Sequence, residues 1–186
     1  MIKTDEKISS TNEENILRQD TLIKTEIFNK AENLLKQALN IKPDLHQARM
    51  TLMSLYYGSQ NNTQALGVLN QGMQAYPDQL QYRFVAARIL TEMNQADAAW
   101  RLVGSTPSDA LKDREFTQFK ALLAQQVKAW QAALTHWQSL LTTQPNQSNW
   151  LLGAAIAADN MNNPRLAISY YQKVLNGRQL SQASMD

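Results

Sequence analysis

From Leu166 to Leu175 the apolar residues Ala167, Tyr170, Tyr171 and Val174 fall on one face of a helix at its 3.6-residue spacing. A single helix leaves such a face uncovered, so the pattern implies a partner surface elsewhere in the chain. Counting back from Ala167 in steps of 34 reaches Ala133, Ala99, Ala65 and Ala31, an alanine each time. The same step joins Pro43, Pro77 and Pro145; it meets Leu111 at the remaining position, where the proline has moved to Pro107 in an irregular stretch. The chain is a repeat, and each repeat has room for two amphipathic helices and two turns.

The pattern predicts helices over 46–58 and 63–76 in the second repeat, with a turn at Gln60-Asn61-Asn62 and Thr63 as the helix cap. The third repeat gives helices over 79–93 and about 96–103, the second running into Gly104-Ser105-Thr106-Pro107, where the repeat stack should kink. The fourth gives about 109–126 and 129–143. In the fifth, a helix starts near Gln147, and the next begins with Pro164 in its first turn and stops near Asn176-Gly177. The first repeat reads as a ragged helix within 12–27 and a second over 28–39. Expected boundaries are a polar leader over 1–11, repeats at 12–45, 46–79, 80–113, 114–147 and 148–179, and the start of a capping helix at 180–186. The polar beginning and the short last segment read as the cut ends of something longer.

A 34-residue period with a fixed alanine and a late proline resembles the tetratricopeptide repeat. Leu52, Tyr56, Ala65, Leu69 and Pro77 carry the likeness in the second repeat; Ala121, Ala133, Trp137 and Pro145 in the fourth; Ala155, Ala167, Tyr171 and Val174 in the fifth. The glycine common in the family's first helix is replaced by Met53, Ala87, Ala121 or Ala155, and Trp150 stands one residue early. The resemblance implies an all-α, right-handed superhelical solenoid. In it Ala167 crosses the first helix of its own repeat near Ala155.

Composition narrows the function. The net charge is +2 with both signs interspersed, so the clustered basic face of a nucleic-acid binder is missing and no nucleic-acid partner is expected. Without cysteine there is no disulfide, thiolate nucleophile or zinc–thiolate site. No run approaches the roughly 20 apolar residues of a membrane span, and the first residues lack a secretory apolar core. Membrane association is expected only through a segment outside this chain.

Catalytic groups do not gather. His46 and His136 lie in different repeats without an orienting carboxylate at helical spacing and read as surface residues. Asp5-Glu6 and Glu13-Glu14 are adjacent solvated charges, and the glycines are scattered singly. No enzyme activity, cofactor or metal is expected. Trp137, Tyr170 and Tyr171 fall at core positions, while Trp100, Trp130 and Trp150 are open to a contact role.

In the tetratricopeptide family, first helices line a concave face that holds extended or helical peptides. Carried over, that face comprises Gln47, Met50, Ser54 and Tyr57; Gln81, Phe84, Arg88 and Thr91; Gln118, Leu122 and Gln125; and Asn149, Leu152, Ile156 and Asp159. It is an apolar stripe edged with amides. Members that clamp acidic chaperone tails use lysine, asparagine and arginine on these faces; here Arg88 alone is cationic.

A closer likeness covers about 40–180. The runs FKALLAQQ, AALTHWQSLLTTQP and NWLLGAAIAADNMNNPRLAISYYQKVL, with LHQAR and LYYG before them, are similar to the C-terminal repeat region of MSHA-type pilus biogenesis proteins. That resemblance implies a region on the periplasmic side of the bacterial inner membrane that binds pilus assembly components. A cytosolic co-chaperone or regulatory adaptor is the alternative; a third, a glycan or polymer-synthesis accessory enzyme domain, is one the aromatics could serve but no carboxylate constellation supports.

Overall fold

The structure is a computed structural model; it describes the backbone of residues 2–106 and 113–183, and side chains within 17–106 and 113–177. Among these residues there are nine helices and no strand: α1 (Ile2–Ile41), α2 (His46–Gly58), α3 (Asn62–Ala75), α4 (Leu80–Glu92), α5 (Ala96–Val103), α6 (Arg114–Gln126), α7 (Trp130–Thr143), α8 (Ser148–Asn160) and α9 (Pro164–Ala183). They belong to two compact units, Met1–Gln71 and Gly72–Asp186.

Two turns recur. After the first helix of the second to fifth repeats a left-handed residue stands at Gln60, Asn94, Lys128 and Asn162, with φ of 62°, 60°, 59° and 56°. The next amide reaches back five residues: Asn61 to Tyr56 O, Gln95 to Leu90 O, Ala129 to Ala124 O and Asn163 to Ala158 O, at 2.8–3.0 Å. These are Schellman closures, which satisfy carbonyls left open at a helix end. Between repeats a β-turn places proline at its second position: Leu45 N donates to Lys42 O around Pro43, Gln79 N to Tyr76 O around Pro77, and Gln147 N to Gln144 O around Pro145. Proline's fixed φ suits that position, which explains the 34-residue proline spacing.

The helix pairs bury small residues where backbones approach. Ala65, Ala99 and Ala133 are fully buried, as is Ala155, and Ala167 is 2% exposed. In the second unit one apolar cluster gathers Phe84, Ala87, Ala99, Val103, Phe116 and Leu123. Another gathers Ala121, Ala133, Trp137, Trp150, Leu151, Tyr170 and Val174. Each large side chain so buried contributes about 1.5–3 kcal/mol.

Several expectations are corrected. The leader and the two helices of the first repeat are one helix, Ile2–Ile41, because no glycine or proline interrupts the chain before Pro43. Helix α9 does not stop at Asn176-Gly177 but runs to Ala183, and Gly177 has no positive φ. Thr63 does not cap α3: Asn61 Oδ1 accepts from Gln64 N at 3.2 Å. Helix α6 begins at Arg114, where Asp113 Oδ1 accepts from Glu115 N at 2.7 Å. The irregular stretch at Pro107 and the residues 184–186 of the expected capping segment lie outside the described residues.

Candidate partner-binding face

In the second unit the first helices α4, α6 and α8 present their outer residues along one side of the packed pairs. Packing sets which residues those are. On α6, Phe116, Ala121, Leu123 and Ala124 turn into the core, leaving Gln118 and Leu122 outside. On α8, Trp150, Leu151, Ala154, Ala155, Ala157 and Ala158 are buried, so Asn149, Leu152, Ile156 and Asp159 are exposed. Leu122, Leu152 and Ile156 are 52%, 41% and 37% exposed, large apolar side chains on two neighbouring first helices.

Two side-chain bonds fix these helices to each other. Trp150 Nε1 donates to Gln118 Oε1 at 3.1 Å, and Gln125 Nε2 to Gly153 O at 3.3 Å. Trp150 is therefore a core residue with its polar tip satisfied, and not an exposed contact.

A cleft of about 580 Å³ opens between α4 and α6, lined by Phe84, Arg88, Glu115, Gln118, Phe119 and Leu122 among others. Arg88 Nη1 pairs with Glu115 Oε1 at 3.1 Å, with both side chains more than half exposed, and its guanidinium stands 5.7 Å over the Phe84 ring. Such an exposed pair is weak, so an incoming carboxylate competes with Glu115 at little cost. Phe84 is only 5% exposed, held edge-on by Phe116 at 5.1 Å and Phe119 at 5.4 Å. It forms the floor of the cleft, packed between neighbouring first helices while still lining the groove. Gln81 is exposed at the start of α4. Glu115 and Phe119 were absent from the sequence-derived set; a residue adjoining Gln118 at the fourth repeat's first helix was the available signal.

In the first unit, Gln47, Ser54 and Tyr57 are exposed on α2 and Met50 is half-buried. A separate cleft of about 600 Å³ in this unit is lined by Lys36, Leu39, Arg49, Leu52, Tyr56 and Val68, among others.

The polar core departs from the sequence reading at His136, which is 6% exposed. Burial, and secondarily the neighbouring Lys120, push its imidazole down to about 4. Lys120 is fully buried, donates its Nζ to Thr106 O and lies 5.6 Å from the Phe116 ring; burial pushes its amine down to about 8. Among the described residues no cluster of three or more His, Asp or Glu is placed to hold a metal ion. No described helix is long and apolar enough to cross a membrane.

A family model for the tetratricopeptide repeat matches residues 22–86. Solved structures share the fold over most of the chain. The crystal structure of MamA aligns with a TM-score of 0.62 at 13% identity, covering 86% of this chain and 94% of that one. A MamA RS-1 double mutant gives 0.63 at 11% identity, covering 83% and 86%. YrrB, a tetratricopeptide-repeat protein with an unusual peptide-binding site, gives 0.60 at 13%, covering 86% and 82%. No curated protein matches. The fold is thus the all-helical solenoid of tetratricopeptide-repeat proteins, an architecture whose stacked repeats build extended binding surfaces.

Proposed function

We propose that this chain is a non-enzymatic scaffold that binds a protein segment along the first-helix face of α4, α6 and α8. The observation that carries this reading is the line of exposed Leu122, Leu152 and Ile156 beside the Arg88–Glu115 cleft. A continuous apolar stripe with amide edges fits a segment whose apolar side chains recur at helical or extended spacing. Gln81, Gln118, Asn149 and Asp159 supply the rim that fixes its register. On the first unit, Gln47, Met50, Ser54 and Tyr57 offer the corresponding first-helix surface. The peptide-binding site of YrrB, a protein of the same fold, adds support.

The finer reading is support of type IV, MSHA-type pilus assembly or a related secretion machine, on the periplasmic side of the bacterial inner membrane. It rests on the sequence resemblance of residues 40–180. The test is affinity capture from a bacterial envelope extract with the parent and with Leu122→Glu/Leu152→Glu, both checked for helix content. Pilus-machine components that bind the parent and are lost from the folded variant support the reading. Capture that ignores the double change rules out this face, and capture of cytosolic chaperones instead favours an adaptor role.

A further inference from the structure

Six of the twelve exposed large apolar residues among the described residues lie on α1: Leu17, Leu22, Ile23, Ile27, Leu34 and Ile41. Four of them, Ile23, Ile27, Leu34 and Ile41, succeed one another at intervals of four, seven and seven and so form one stripe. Phe28, Ala31, Glu32, Leu35, Ala38 and Leu39, partly buried, form the adjoining face.

Repeat equivalence shows what the stripe lacks. Leu34 is 57% exposed, whereas Val68, His136 and Tyr170, which stand at the same repeat position, are 8%, 6% and 8% exposed. Ala31 is half-buried while Ala65, Ala99, Ala133 and Ala167 are buried. In those later repeats the second helix packs against a first helix of its own repeat, as α5 does on α4, α7 on α6 and α9 on α8. On α1 the residues that would form that first helix continue straight on in the same helix. The chain thus holds a helix-sized apolar face without a helix on it, and a helical segment with exposed apolar residues of its own.

We infer that a second copy of this chain covers the stripe, the two α1 helices pairing antiparallel about Thr25. In that register each residue faces the one equally far on the other side of Thr25. Ile23 meets Ile27 of the second copy, and Asp20 meets Lys30. Leu34 and Ile41 lie along the other helix's N-terminal half. Between residues 20 and 41 the stripe has two charged members, Asp20 and Lys30, which are of opposite sign and sit symmetrically about the same centre as the Ile23–Ile27 contact. Opposite charges face each other twice in the pair, and like charges never do. This isologous exchange closes on itself as a dimer.

Sedimentation of the full chain tests the register by charge reversal. Asp20→Lys and Lys30→Asp each bring like charges together twice and should weaken self-association by about tenfold, and the double variant Asp20→Lys/Lys30→Asp should restore it. Both positions are exposed, and circular dichroism checks that helix content is kept. Because the chain has no cysteine, an equal mixture of Ile23→Cys and Ile27→Cys chains should form a disulfide-linked dimer that neither variant forms alone. A monomeric parent, a double variant no tighter than the singles, or a mixture without the crosslink overturns the proposal. So does a stripe that binds only a different protein.

Discussion

The Tyr56 hydroxyl donates to Glu32 Oε1 at 2.6 Å, joining α2 to α1 across 24 residues of chain. Lys36, one turn on from Glu32, donates to the same oxygen at 2.6 Å. The Phe28 ring lies 6.1 Å from that of Tyr56. Tyr56→Phe keeps the ring and removes the bond, and should cost about 1 kcal/mol in chemical denaturation.

The hydrogen bonds from Lys36 and Tyr56 hold the Glu32 carboxyl below its ordinary 4.5. A depressed carboxylate adds stability above its unfolded value and loses it as pH falls through the folded one. Glu32→Gln should therefore lower stability at pH 7 and flatten the fall below pH 4.5, seen by thermal melts across that range.

Gly153 lies under the indole of Trp137, and a methyl group there would come within 2.5 Å of Cε2. In an open helix, glycine to alanine gains about 1 kcal/mol. Here the buried indole has no room to retreat, so Gly153→Ala should instead destabilise by about 1–3 kcal/mol. The sign of the change in melting temperature decides the point.

At the four left-handed turn positions no residue is glycine. Lys128 gains nothing from its side chain in that conformation, which costs L-residues about 1–2 kcal/mol. After glycine's greater unfolded-state freedom is subtracted, Lys128→Gly should stabilise by about 0.5–1 kcal/mol, measurable by urea unfolding.

His136 should make the second unit acid-sensitive. Its folded imidazole titrates at about 4, below the ordinary 6.5, because burial and Lys120 disfavour the charged form. Its contribution is present above pH 6.5 and lost as pH falls toward 4. The loss is on the order of 1–3 kcal/mol. His136→Leu should show a flatter stability profile between pH 6.5 and 4 than the parent.

Much of this was legible in the sequence. The alanine and proline spacings located the helices from α2 onward, because buried small residues and turn prolines leave a periodic trace. The continuity of α1 was not legible as such: the reading imposed a repeat boundary where the chain holds no glycine, proline or turn cluster to make one. His136 misled because residue type says surface while repeat position says core; it stands where Val68 and Tyr170 are buried, whereas for Trp150 the sequence leaves core and contact both open. Phe84 shares the first-helix positions of the groove set, but the aromatic partners that bury it, Phe116 and Phe119, come from the next repeat. The Arg88–Glu115 pairing spans 27 residues, and no local pattern announces it.

Phe84→Glu would place a charge between two aromatic rings and should unfold the second unit, so it cannot report on binding. Leu122→Glu removes the same face's apolar character from an exposed position and should leave stability within about 0.5 kcal/mol of the parent. Circular dichroism of the two variants side by side separates core from contact.

The most direct test is photocrosslinking in an envelope extract, with the reactive side chain placed at Leu122, Leu152 or, as a control on the second-helix side, Gln131. A binding face on α4, α6 and α8 predicts one shared partner crosslinked from Leu122 and Leu152 and none from Gln131. Crosslinks from Gln131 alone, or different partners from Leu122 and Leu152, would contradict it.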